Sequence, residues 1–582
     1  MIVRFAIFFG FVLRSGSGFL GHRNVIVPFK QRQEIIKDLG QRNTVARLMR
    51  PSMVIGKNNS PKQKWWSLFR QADAPILDKT VERSLFEQEE EERKSSVRAF
   101  AGKLLRNMFE KNEYDPLDSI VRIYCQSAPP NYCLPWQRLQ QESSTASGFI
   151  IDEKTIITNA HAVESPLFIQ VRRHGQNQRF QARVMAMGHE CDLALLTVDN
   201  EAFWTDSQPL PLGALPDLED EVRVVGYPLG GDGISVTAGV VSRIEMTTYE
   251  QAKAELLSIQ IDAAINGGNS GGPVFSEDGE VVGLAFQSLA SEDVENMGFV
   301  IPASVVRHFL ESVRRFGYYP GVCALGVNMQ NLENPSIRSY LGLPEGVTGV
   351  RITGVNPVSP AYSVVQKDDV LVSIDGIKVA NDGTIPAAFG ERVLLRSYFS
   401  ELFVGDAVEL KILRDRKFMN VKVSVGIPSQ KVPVHFKDDL PEYLVIGGLV
   451  FIVCSQRYIE NQEFYGGVTG ETKLIYEYVY GKKETDDDEL VVLTNVLADE
   501  INVGYEELNN MHLTKFNNME VKNLRHLHDM VQACQEEHMK FEFYPNMVVV
   551  MDTEKVFEAT PRIIAANLIP SSGYLIDEEK SE

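Results

Sequence analysis

The chain has 582 residues, too many for one hydrophobic core, and ordinary domain sizes point to three or four units. Apolar residues make up 44% and charged residues 23%, so most of the chain is expected to fold as soluble globular protein. The formal net charge of −20 argues against a nucleic-acid-binding surface, because attraction to phosphate needs clustered Lys and Arg.

Residues 1–33 read as a targeting segment: Arg4 precedes the apolar run Phe5 to Leu13, small residues follow, and no acid occurs before Glu34. The run is too short for a stable span and has the shape of a secretory h-region; the expected reading is a cleaved signal peptide, alone or leading a second transit segment into an endosymbiotic organelle, with a mitochondrial presequence as the alternative. Residues 34–114 read as a linker or prosegment rich in polar and basic residues. Within it the acidic run Glu87 to Glu92 reads as a solvated helix face. Val97, Phe100, Ala101, Leu104, Leu105, Met108 and Phe109 then recur at three- and four-residue spacing, as in an amphipathic helix.

From about 115 to 318, short apolar runs punctuated by Gly, Pro and Asp suit two antiparallel barrels. Ser147-Gly148 opens one run. Thr155 to Thr158 is another, delivering Asn159-Ala160-His161 at its end, and Cys191-Asp192 stands at the mouth of Leu193 to Leu196. Asn266-Gly267-Gly268-Asn269-Ser270-Gly271-Gly272-Pro273 then holds a serine among small residues. Such a turn can present a hydroxyl to a carbonyl while the N–H groups of Gly268 and Ser270 converge on its oxygen. A bare Gly-x-Ser-Gly is more often a surface turn. Here His161, Asp192 and Ser270 come in the order used by chymotrypsin-like double barrels, each at a junction of strand and loop. Of the six cysteines (125, 133, 191, 323, 454 and 534), Cys125 and Cys133 are compatible with a disulfide or with two buried thiols, and Cys191 reads as a packing residue. No metal-ligand spacing or phosphate-binding loop occurs, so no metal and no cofactor is expected. Beyond Pro302, Val305, Val306, Phe309, Leu310 and Val313 mark one face of a closing helix.

Thr158 to His161, Cys191 to Leu195, Gly226-Tyr227-Pro228-Leu229-Gly230-Gly231, Ser235 to Ser242 and Asn266 to Pro273 together resemble the Deg/HtrA (protease Do-like) serine proteases, in particular those of plants and algae, from about residue 115 nearly to the C-terminus. Many relatives have proline or serine where Gly267 sits, which implies a looser turn here. The resemblance implies a mainly β protein, a chymotrypsin-like double β-barrel followed by two PDZ-like α+β domains. It also implies trimer contacts through the segment before the first protease strand, hence a homo-oligomer.

The C-terminal half carries a faint repeat. Ile374-Asp375-Gly376-Ile377-Lys378-Val379-Ala380-Asn381 and Phe516-Asn517-Asn518-Met519-Glu520-Val521-Lys522-Asn523 share one pattern, an alternating strand interrupted by a turn pair. The first copy, in 319–430, looks like a PDZ domain of the protease Do kind, and Leu325, Gly326 and Val327 would form its peptide-binding loop by resemblance. Alternatively, Leu325 and Val327 are only strand core. The second copy, in 431–575, has no comparably clear loop and reads as a structural or oligomer-forming unit.

The expected function is ATP-independent serine endoproteolysis of misfolded or damaged chains, with no nucleic-acid partner and no stable membrane span. Ala264, Ile265, Asn266, Gly267, Ala285, Phe286, Gln287 and Phe299 are expected to line the specificity pocket. None is acidic, which favours a small or medium apolar side chain over Lys or Arg. The alternatives are a chaperone or adaptor whose PDZ-like units hold partners, with proteolysis secondary, and an inactive scaffold, against which the intact His161, Asp192 and Ser270 weigh.

Overall fold

The computed structural model describes residues 115–576, apart from 250–253, 292–293, 388–391, 434–439 and 463–469. The targeting segment, the prosegment and the amphipathic stretch therefore lie outside the described residues.

Short alternating apolar strands build two closed barrels. The first contains β1 (Ile120–Ser127), β2 (Glu142–Asp152), β3 (Thr155–Thr158), β4 (Pro166–Arg173), β5 (Phe180–Gly188) and β6 (Leu193–Thr197), hydrogen-bonded in the order β1-β2-β3-β6-β5-β4. The second contains β7 (Glu221–Gly226), β8 (Ser235–Tyr249), β9 (Ala254–Ile261), β10 (Pro273–Phe275), β11 (Val281–Ser291) and β12 (Val294–Pro302), ordered β10-β11-β12-β9-β8-β7. Side chains alternate between the faces of a strand. In β6, Ala194 and Leu196 fill the first barrel, while Leu193 and Leu195 join Phe275, Leu284, Phe286 and Phe299 in a core between the barrels. Helix α1 (Ala303–Phe316) closes that core with Val306 and Phe309, and Val305, Leu310 and Val313 pack at its margin, the stripe its periodicity marks.

The next unit is a sheet in the order β13 (Val327–Asn331), β14 (Val350–Val355), β15 (Val370–Ile374), β19 (Ala407–Arg414) and β20 (Lys417–Ser424). Strand β16 (Ile377–Lys378) folds back on β15, and β17 (Thr384–Pro386) pairs with β18 (Arg392–Leu394). Helices α2 (Pro335–Leu341) and α3 (Arg396–Phe399) accompany it. The last unit contains β21 (Tyr443–Ile446), β22 (Leu449–Val453), β23 (Val491–Val496), β24 (Met511–Phe516), β25 (Met519–Glu520), β26 (His538–Phe543), β27 (Met547–Asp552) and β28 (Gly573–Tyr574). They run in the order β27-β26-β24-β23-β22-β21-β28, with β25 folded on β24. Its helices are α4 (Gln456–Gln462), α5 (Gly470–Tyr480), α6 (Leu524–Gln532) and α7 (Thr553–Ala566).

The two repeat motifs form equivalent hairpins: Ile374 faces Ile377, and Phe516 faces Met519. All four turn residues have positive φ, +45° and +81° at Asp375 and Gly376, +43° and +65° at Asn517 and Asn518. This is the turn whose twist matches paired strands.

One connection is unforeseen. The loop 128–141 leaves the first barrel between β1 and β2 and docks on the terminal unit. Tyr132 and Trp136 pack against a core containing Tyr443 and Tyr458, Trp136 standing edge-on to Tyr443 with ring centroids 5.6 Å apart. No disulfide joins Cys125 and Cys133, and none of the six cysteines is in one; Cys125 is buried in the first barrel and Cys133 lies on the docked loop. Cys191 is a buried packing residue, as its surroundings suggest.

Candidate active site

The three residues singled out by order along the chain sit at the seam of the barrels. After β3, a single 3-10 turn, His161–Val163, lifts the imidazole out of the sheet. Asp192 immediately precedes β6 with φ +52°, a left-handed conformation that aspartate tolerates better than most residues. Its backbone carbonyl accepts from Ala160 N–H at 3.1 Å and Asn159 Nδ2 at 3.0 Å. Its carboxylate accepts from the His161 backbone N–H through Oδ1 at 2.9 Å and lies 2.8 Å from His161 Nδ1 through Oδ2. A carboxylate here accepts only, so the ring proton belongs on Nδ1 and the lone pair on Nε2.

The electrostatics follow from these contacts. Burial of the ring opposes its protonation, but the charge and hydrogen bond of Asp192, with a further contribution from Glu164, outweigh burial and raise the His161 pKa above the ordinary value. The His161 side chain keeps 27% of its exposure, so a substrate can reach the ring, whereas Asp192 is sealed at 2%.

Ser270 enters β10 from a turn whose consecutive peptide planes are each held. The Gly267 carbonyl accepts from Leu229 N–H at 2.7 Å, and the Asn269 carbonyl from Gly272 N–H at 2.9 Å. Trans peptides are planar, so fixing these two carbonyls aims the Gly268 and Ser270 N–H groups the opposite way. The planes between and beyond are held by Ser147, whose Oγ donates to Gly268 O at 2.7 Å and whose N–H donates to Ser270 O at 2.9 Å. Tyr227 N–H in turn donates to Ser147 Oγ at 2.8 Å. Gly268 has φ +94°, and a Cβ there would lie 2.4 Å from Tyr227 O, so only glycine fits. Gly267, read as a loosening of the turn, is tethered through its own carbonyl. Ser147 is a residue whose part sequence reasoning missed; the Ser-Gly pair opening a buried strand was visible, but its partners are 80 and 121 residues away.

The Ser270 hydroxyl points to Phe286 O, at 3.5 Å. Among the described residues no hydrogen bond joins it to His161, so the structure brings His161 and Asp192 into contact and leaves the serine hydroxyl turned aside.

The expected pocket lining divides in two. Asn266 and Gly267 are exposed and Ala264 is half-buried, its carbonyl accepting from Thr237 Oγ1 at 2.9 Å. The side chains of Ile265, Ala285, Phe286 and Phe299, expected to line a pocket, are buried. Ile265 and Ala285 belong to the interior of the second barrel, Phe286 and Phe299 to the core between barrels. Gln287 continues β11; its side chain lies outside the described residues.

In the next unit Gly326 has φ +73° and Leu325 is buried in the core, while Val327 packs at its edge. Residues 324–329 border a cavity of about 250 Å³ with Arg396 and Phe399 opposite, and Tyr480 and Lys482 of the terminal unit form its lip. Among the described residues no cluster of metal-ligating side chains occurs and no helix is long and apolar enough to cross a membrane.

A trypsin-like peptidase domain model matches residues 146–284, and two PDZ domain models match 323–425 and 432–573. Fold and domain models together define the class: a serine endopeptidase on a chymotrypsin-like double barrel, followed by PDZ domains. The chain is 41% identical over 480 residues to Protease Do-like 2, chloroplastic, of Arabidopsis thaliana, covering 82% of this chain and 78% of the relative. It is 38% identical to Protease Do-like 4, mitochondrial (78% of this chain, 85% of the relative), and 36% identical to Putative protease Do-like 3, mitochondrial (78% and 79%), both of the same plant. The chain belongs to the HtrA/Deg family of serine proteases and is similar to the plant Do-like members.

Proposed function

We propose that the chain is an ATP-independent quality-control endopeptidase in which Ser270 is the nucleophile. His161 accepts the Ser270 proton on Nε2 as Oγ attacks the scissile carbonyl, then returns it to the leaving amine; water repeats the sequence on the acyl-enzyme. Asp192 holds the ring and its tautomer, and the Gly268 and Ser270 N–H groups stabilise the oxyanion. The observation that carries this reading is the His161–Asp192 bond of 2.8 Å beside a turn whose peptide planes are fixed one by one. The catalytic arrangement needs Ser270 Oγ to leave Phe286 O.

The substrates are misfolded or damaged polypeptides, whose extended segments can add to the edge strand β13 beside the Gly326 loop. The Ser270 hydroxyl turned to Phe286 O favours a second reading for the resting molecule, a holding protein in which proteolysis is secondary. The protein assembles as a homo-oligomer, a trimer or a multiple of one, which mass photometry of the full chain tests. Relatives named chloroplastic and mitochondrial support delivery to an endosymbiotic organelle through a cleaved N-terminal segment, with the secretory route as the alternative.

Ser270→Ala is expected to abolish cleavage of unfolded casein and labelling by a fluorophosphonate probe while the fold is unchanged, since little packing volume is lost. Labelling that persists in this variant overturns the assignment.

A further inference from the structure

The terminal PDZ domain reaches the protease site directly. Arg457, near the start of α4, places Nη2 2.7 Å from Glu164 Oε1. Glu164 ends the 3-10 turn that begins at His161. The pair is partly shielded, with side-chain exposures of 26% and 30%, where a charge contact is screened less than on an open surface. A second route runs in parallel. The base of loop 128–141 is tied to the residue that follows this turn, Ala128 N–H donating to Ser165 O at 3.2 Å. The far part of that loop carries Tyr132 and Trp136 onto the terminal core, where Tyr132 stands edge-on to Tyr458, the neighbour of Arg457.

We propose that Arg457 is a positioning residue for His161: through Glu164 it braces the histidine turn and balances the charge facing the ring. This rests on His161 being the general base. The charged and titratable groups facing the turn are Asp192 and Glu164 on the protease side, His189 from the turn between β5 and β6, and Arg457 with Glu460 from α4. Burial, with the Arg457 charge second, lowers the His189 pKa to about 4, so His189 is neutral throughout the working range. Glu164 favours the imidazolium, and Arg457 offsets that charge.

The sign of each substitution follows. Arg457→Met removes the guanidinium that faces Glu164 and so raises the His161 pKa; burial, the larger cause acting on His189, survives, so His189 stays neutral. Glu164→Gln removes the carboxylate and leaves Arg457 facing the turn, which lowers the His161 pKa. The readout is the second-order rate of fluorophosphonate labelling of Ser270 in the full chain, measured against pH. We expect Arg457→Met to move the acid limb up by about half a pH unit and Glu164→Gln to move it down by about as much. The double variant returns the limb close to wild type while its rate plateau falls about tenfold, the brace being lost. Arg457→Lys keeps the charge and restores the limb; with Glu164→Gln it carries the test if Arg457→Met fails to fold. Limbs that stay put, or that both move the same way in folded and labelled variants, overturn the proposal. Absence of Ser270 labelling in the wild type overturns the assigned mechanism instead, so the two failures are distinct.

Discussion

Ser147 shows how much of the site depends on one buried hydroxyl. It accepts from Tyr227 N–H and donates to Gly268 O, so Ser147→Ala strips partners from two backbone groups. Leaving buried polar groups unpaired costs about 1–3 kcal/mol. Because one of them borders the N–H aimed at the oxyanion, the loss is expected as a fall in kcat of about 10- to 100-fold with KM little changed, read from steady-state kinetics on a peptide substrate. The raised pKa of His161 sets the pH dependence. A histidine whose charged form is favoured stays protonated to higher pH, and a protonated ring cannot take the serine proton. The acid limb of kcat/KM is therefore expected above the ordinary histidine value of about 6.5, with activity rising toward mildly alkaline pH. A midpoint below that value contradicts the Asp192 contact as the dominant influence. His161, Asp192 and Ser270 were legible because each is a reactive type at the end of an apolar run. Ser147 was not, because a buried serine in a strand has no sequence mark apart from the partners that folding brings to it.

At the scale of elements, the repeated hairpins were readable from two residues each. Asp375-Gly376 and Asn517-Asn518 are turn pairs flanked by apolar residues, and both became two-residue turns with positive φ. Gly376 makes a clean test, since a Cβ there meets nothing within 4 Å and only backbone strain changes. Gly376→Ala is expected to lower stability by about 1–2 kcal/mol in urea titration without changing the m-value. A neutral effect removes the turn assignment. Less was legible where a strand serves two masters. Phe286 accepts from the Ser270 hydroxyl through its carbonyl and Phe299 pairs with the adjacent Gln287, yet the side chains of both enter the core between barrels. Helices α4 and α5 and the docking of loop 128–141 have no local signature either, because a loop that packs over long range carries no period to read.

Among the described residues, that loop ties the first barrel to the terminal unit. Trp136 packs on the terminal core 5.6 Å from the Tyr443 ring, and Thr494 Oγ1 lies 3.4 Å from Cys133 O. Trp136→Ala removes a half-buried aromatic anchor and is expected to cost about 2 kcal/mol. Limited proteolysis should then cut within 128–141 before it cuts either barrel. Cleavage at the wild-type rate contradicts the docked loop.

Synthesis from the N-terminus gives this tie a temporal meaning. Arg457 follows Glu164 by 293 residues, and Thr494 follows Cys133 by 361. At about 5–20 residues per second the ribosome needs roughly 15–60 s to cover the shorter interval. Both barrels can close during that wait with Trp136 still undocked, so the nascent enzyme passes through a stage in which its catalytic half is folded and its far anchor does not yet exist. Contacts this distant along the chain form last.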